Sequence, residues 1–293
     1  MRLSVLALVL AASAASAQPG GWPTPPAGPS VSVDLLYAVG DDLGITTTDV
    51  DGQLIEDGEL GIVSTALVLG ARVPVGRRLT AVAELPVAYA AYDFPESVDV
   101  SGFYADGLSD VALGNPYVGV QAGVRPDLSL DLGVRVPLAP NRDLNEVNGW
   151  EGGLRAAPER FEAYLPDTFA ALLGVAYVPA LNERLRLRLR AEPALLVPTT
   201  DQVVTTDPDL ALGYGAALDA AVGRATLSGG VLGRQILTDG RYDTFFDADA
   251  VAVLGASVAV GGVRPSVAVR VPLYDAVLGQ DATVALRLDV PIR

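Results

Sequence analysis

Hydrophobic residues along this chain recur with a period of two. Val31, Val33, Leu35, Tyr37 and Val39 alternate with Ser32, Asp34 and Ala38. Leu128, Leu130, Leu132, Val134, Val136 and Leu138 alternate with Ser129, Asp131, Gly133 and Arg135. The same rhythm places Leu185, Leu187 and Leu189 between arginines, and Val284, Leu286, Leu288, Val290 and Ile292 around Ala285, Arg287 and Asp289. Successive side chains of a strand face opposite sides, so each segment carries one apolar and one polar face. The pattern predicts about twelve strands, near 30–40, 60–75, 79–92, 111–124, 128–139, 168–179, 185–197, 210–222, 225–237, 245–260, 263–273 and 283–293. In 111–124 and 225–237, glycine and mixed parity blur the faces.

The connections alternate too. Short turns fall at 76–78, 125–127, 180–184, 223–224 and 261–262, and longer polar loops at 41–59, 93–110, 140–167, 198–209, 238–244 and 274–282. Short turns at one end and long loops at the other predict an all-β fold, an antiparallel transmembrane β-barrel of the outer membrane. An even strand count puts both termini at the short-turn, periplasmic end. Tyr37, Tyr89, Tyr92, Phe169, Tyr214, Phe245, Phe246 and Tyr274 all fall at long-loop ends, where a membrane-interface girdle belongs. At the opposite end little stands out beyond Tyr177.

Residues 1–17 precede this pattern and differ from it. Arg2, an apolar run from Leu3 to Ala12 and the small residues Ala15-Ser16-Ala17 have the order of a secretory signal peptide. Residues 18–29, rich in proline and glycine, read as a periplasmic leader that builds neither helix nor central strand. The barrel is then expected over 30–293. No apolar stretch is long enough to cross a bilayer as a helix. A water-soluble β-sandwich also alternates, but long strands repeated this often at a mean hydropathy of +0.36 fit a lipid-facing wall better.

Composition narrows the function. With 35 acidic residues against 20 basic ones, all arginine, the net charge of −15 excludes a nucleic-acid binder working through bulk electrostatics. The absence of cysteine removes disulfides and thiolate chemistry, and the absence of histidine removes the usual zinc ligand and general base. No enzyme activity, metal or cofactor is expected. The carboxylates Asp247 and Asp249 are not distinguished from other acids. Asp49-Val50-Asp51-Gly52 starts like a calcium loop but lacks the later ligand spacing.

The polar face of 185–197 carries the sharpest chemistry: Arg186, Arg188 and Arg190, then Glu192, with Asp219 offered by the next strand. Unpaired charges in a narrow lumen are costly, so such a ladder implies partners or water. It reads either as an ion-paired scaffold or as a constriction selecting anionic or polar solutes. Charged residues two before a proline recur at Arg72, Glu84, Arg135, Arg270 and Asp289, also facing the lumen, where the prolines mark bends or strand ends. Acids crowd the long loops, Asp41, Asp42, Asp49, Asp51, Glu56, Asp57 and Glu59 in the first.

Three stretches stand out together: Leu79–Pro86 ending Glu-Leu-Pro, Gly107-Leu108-Ser109-Asp110 entering the next hairpin, and Leu132–Pro137 ending Arg-Val-Pro. Over about 80–140 they resemble the outer-membrane transporter family linked to the meta-pathway of phenol degradation. That resemblance implies a barrel passing small, often aromatic or hydrophobic, molecules. The expected function is passive passage of small solutes through the outer membrane of a Gram-negative-type bacterium. Outer-membrane lipid, a small-molecule solute and the barrel-assembly machinery are the expected partners. The alternative is a structural or surface-interaction barrel with a blocked lumen and acidic, ion-binding loops.

Overall fold

The computed structural model describes residues 28–40, 43–48, 54–93, 109–139, 148–200, 207–238, 248–273 and 281–292. Residues 1–17, expected to be a signal peptide, and most of 18–29 lie outside them. Among the described residues there are fourteen strands: β1 (Ser30–Val39), β2 (Leu43–Thr48), β3 (Leu54–Pro74), β4 (Leu79–Asp93), β5 (Ser109–Leu113), β6 (Tyr117–Arg125) and β7 (Leu128–Arg135), then β8 (Thr168–Tyr177), β9 (Leu185–Pro198), β10 (Asp209–Val222), β11 (Ala225–Ile236), β12 (Ala248–Val258), β13 (Arg264–Pro272) and β14 (Ala282–Pro291). All pair antiparallel, and β1 pairs with both β3 and β14, so the sheet closes on itself.

The wall has twelve strand positions. β2 pairs only with the outer part of β3. β5 and β6 follow one another along a single edge of β4, with Leu113 opposite Val87 and Tyr117 opposite Glu84. The break between them, at Gly114–Pro116, falls beside Pro86, whose carbonyl accepts the Gly114 amide. Proline has no amide hydrogen to offer the neighbouring strand, so the ladder is interrupted where Pro86 faces it. The blurred segment 111–124 is therefore one wall position made of two strands.

Alternation decides which face is which. On β1, Val31, Val33, Leu35, Tyr37 and Val39 are exposed while Asp34, Leu36 and Ala38 are buried. Leu132 on β7 and Leu254 on β12 are 60% and 72% exposed. The apolar face is thus the outside of a closed cylinder, which suits lipid and rules out the sandwich arrangement, where that face would be the core.

One expectation fails. The connection 140–167, read as an external polar loop, contributes a helix, α1 (Gly149–Ala156), and a 3-10 turn (Pro158–Ala163) to the barrel interior. Leu154, Phe161, Tyr164 and Leu165 form one buried cluster with Leu36, Ala88, Leu172 and Leu196 of the wall. The connection folds inward because its apolar residues have no other shelter from water. We call it the plug.

Two local devices seat it. A Cβ on Gly152 would overlap the Tyr89 carbonyl, so only glycine lets α1 lie flush on β4. Asn115, in the break between β5 and β6, accepts the amides of Leu138 and Ala139 through Oδ1 and donates through Nδ2 to the carbonyls of Glu162 and Leu165. One buried amide therefore pins chain segments on both sides of the plug. Gly152→Ala is expected to push α1 off the wall and destabilise the barrel by about 1–3 kcal/mol, measured as a lower unfolding temperature in detergent micelles.

Candidate functional site

The plug meets the wall through charge as well as through apolar packing. Glu162 lies 2.7 Å from the Arg234 guanidinium on β11 and 3.4 Å from that of Arg135 on β7. Glu159 pairs with Arg270 of β13. Arg160 lies 3.8 Å from Asp34 of β1, which also pairs with Arg287 of β14 at 3.2 Å. Arg135 reaches Glu84 at 3.0 Å as well. Phe161 sits under the Arg234 guanidinium, 5.6 Å from it to the ring centre.

Between the plug and the wall lies a cavity of about 70 Å³. Five guanidinium groups line it (Arg72, Arg135, Arg160, Arg190 and Arg234) against five carboxylates (Glu84, Asp131, Glu159, Glu162 and Glu192). The balance leaves no net charge to favour either an anion or a cation. The volume is about half the ~150 Å³ known to admit benzene. As seated, the plug leaves too little room in this cavity for a benzene-sized molecule.

Charges on the plug, which lies outside the spanning strands, respond to this setting. Burial alone would raise the Glu162 carboxyl, but Arg234 and Arg135 hold it below the ordinary glutamate value. Glu151 moves the opposite way: burial raises it, against hydrogen bonds from Tyr92 and Asn148. Burial likewise raises the Tyr164 hydroxyl.

The structure places the sequence candidates unevenly. Arg188 pairs with Asp219 at 2.7 Å, and Ser228 donates to the same carboxylate oxygen. Arg190 pairs with Glu192, and Arg186 stands opposite Asp219 in register, half-buried. Glu84, Arg135 and Arg270 all face inward, the last two onto the plug. Tyr37 is exposed on the outer face, and Tyr89, Phe169 and Tyr214 share the outward parity of their strands. Tyr92 departs from the expected girdle. Its hydroxyl donates to Glu151 of α1, so it faces the plug rather than lipid. Phe245, Phe246, Tyr274 and Asp247 lie outside the described residues, as do the first-loop acids Asp41, Asp42, Asp49 and Asp51.

Sequence reasoning missed Glu159, Arg160, Glu162, Arg234 and Asn115. A signal was present for the plug. The supposed loop holds Trp150, Leu154, Phe161, Tyr164 and Leu165, too apolar for a solvated connection. Arg234 was obscured by the glycines of its strand. Among the described residues no group of three His, Cys, Asp or Glu residues is arranged to hold a metal.

No protein-family profile and no curated protein sequence matches the chain. Solved structures do. The COG4313 outer membrane channel from Pseudomonas putida F1 superimposes with a TM-score of 0.59 at 15% identity, covering 94% of this chain and 99% of that one. The toluene transporter TbuX from Ralstonia pickettii follows at 0.46 and 11% identity, covering 91% and 90%. The translocator domain of the autotransporter NalP from Neisseria meningitidis scores 0.47 at 12% identity, covering 99% and 94%. The first of these establishes the fold, an outer-membrane β-barrel of the kind made by Gram-negative bacteria.

Arg188→Glu is expected to destabilise the barrel by about 3–5 kcal/mol, because it leaves Asp219 buried without its partner. Thermal unfolding in micelles measures it. The Glu162 carboxyl titrates below its unfolded value, so its latch contributes stability above the ordinary 4.5. That contribution is lost as pH falls through the lowered folded value. Trp150 fluorescence, read with Trp22→Phe, is expected to report plug loosening on acidification, and Glu162→Gln to remove that part of the pH dependence.

Proposed function

We propose that this chain is a passive outer-membrane channel for small, uncharged or hydrophobic solutes, closed at rest by its own inward-folded plug. One observation carries the reading. Where the plug sits, the wall presents alanine: Ala38, Ala66, Ala88, Ala170, Ala194 and Ala211 face it, each 5% exposed or less. A barrel built only as a scaffold would fill its interior with large side chains from its own strands. Here alanines set among the inward leucines and valines leave room, and the filling is a separate segment held by ion pairs and apolar contact. A stopper of that kind is removable.

The charge-balanced cage argues against selecting anions, and the Arg188–Asp219 and Arg190–Glu192 pairs favour the scaffold reading of the arginine ladder. The resemblance of residues 80–140 to transporters linked to the meta-pathway of phenol degradation favours aromatic cargo. The fold shared with an outer-membrane channel supports the same reading, with insertion by the barrel-assembly machinery. One observation favours the rival, a structural barrel with a blocked lumen: the cavity between plug and wall holds only about 70 Å³.

Planar-bilayer recording separates the two. Wild-type protein is expected to give rare conductance steps, and both Gly152→Leu and the double variant Glu159→Gln/Glu162→Gln to open at least several-fold more often. Silence of all three across salts and voltages would leave the blocked scaffold. Recovery of the mature chain in the soluble periplasmic fraction without detergent would refute both.

A further inference from the structure

The short-turn end of the barrel carries a charge opposite to that of the protein as a whole. Arg77 and Arg78 lie in the turn between β3 and β4, Arg125 ends β6 at its turn to β7, Arg184 lies between β8 and β9, and Arg224 between β10 and β11. All five are exposed. The acids in those turns are Asp127, which pairs with Arg125 at 3.3 Å, and Glu183. Among the described residues the opposite rim exposes Asp93, Asp207 and Asp281 and no arginine.

These arginines are ordered around the rim. The Gly123 amide donates to the Arg78 carbonyl, Val178 to Asp127, Ala221 to Arg184 and Ala259 to Arg224, at 2.7–3.2 Å. Each turn is thus tied by its backbone to the next, and the arginines form one continuous arc.

Two further features set the height of the arc. Val75, Leu181, Val222 and Val260, in or beside these turns and the next, are 55–62% exposed. Such residues belong at the edge of the hydrocarbon, so the guanidinium groups beside them stand where headgroups begin. Aromatics, which usually mark that level, are reduced to Tyr177 among the described residues, and Arg125 lies over its ring, 5.9 Å from the centre. A guanidinium is planar, permanently charged and shaped to hold two phosphate oxygens at once.

We propose that this arginine arc binds the phosphates of anionic glycerophospholipids in the leaflet facing the short turns, anchoring that rim in place of an aromatic girdle. Anchoring at this end also fixes the barrel's depth without a ring of aromatic side chains. The acidic opposite rim, which repels such lipids, gives the barrel an electrical polarity across the membrane.

The test uses the mature chain refolded into vesicles of phosphatidylcholine, with or without phosphatidylglycerol, and into detergent for native mass spectrometry. Phosphatidylglycerol is expected to raise the unfolding temperature and to stay bound through detergent washing. Arg→Gln at positions 77, 78, 125, 184 and 224 is expected to weaken retention about five-fold per residue, following the usual worth of one basic side chain at an anionic surface. Arg→Lys at all five should restore much of it, and Asp207→Asn at the other rim should leave it unchanged. Should the glutamine variant fail to refold, the lysine variant and the salt dependence of wild-type retention still decide. The proposal is overturned if phosphatidylglycerol neither stabilises nor is retained by wild-type protein. It is equally overturned if millimolar inorganic phosphate gives the same stabilisation, which would make the source a free anion rather than a lipid.

Discussion

A charge pointing into a narrow barrel must meet a counter-charge there, because no bulk water is at hand to solvate it. The outer face of this wall is given over to lipid, so the charges of its strands are directed inward. Arg135, Arg234 and Arg270 reach the interior from three different strands, and the wall carboxylates around the cavity, Glu84, Asp131 and Glu192, are fewer than the guanidinium groups there. Glu159 and Glu162 of the plug supply the remainder. Wall and plug are therefore parts of one neutral assembly, each holding ions that would be costly alone.

Size follows the same reciprocity. Inward alanines leave room for α1 and the 3-10 turn, and Gly152 lets the helix approach the β4 backbone without a side chain between them. Tyr117 uses a related device at the wall, its ring lying over Gly119 and Gly133, where any Cβ would overlap it. Asn115 occupies a gap that exists because Pro86 cannot continue the ladder. Several residues that look like local irregularities in a strand pattern thus belong to the seating of a single segment.

The wall was legible in the sequence, and its contents were not. Period-two alternation depends only on neighbours along the chain, so β1, β9 and β14 declared their faces through Val33, Arg188 and Leu286. Turn chemistry likewise marked where strands end. The plug depends on partners far away in sequence: Glu159 meets Arg270 and Glu162 meets Arg234. No local spacing encodes such a pairing. What was readable, the apolar content of 149–165, was masked by glycines and charges that made the segment look like a loop. Tyr92 was misplaced for the same reason, since its inward partner, Glu151, belongs to that segment. The ladder residues were assigned to the correct face, and parity offered Asp219 as a partner, which it is for Arg188.

The barrel closes where its first and last wall strands meet, β1 against β14. Asp34 sits on one side of this seam and Arg287 on the other, joined directly at 3.2 Å. The plug spans the same seam from within, Arg160 touching Asp34 on β1 and Glu159 touching Arg270 on β13. The segment that fills the bore is also a clasp across the joint of the cylinder. Loosening it removes a bracket across that joint, so the width of the opening and the integrity of the ring are mechanically linked.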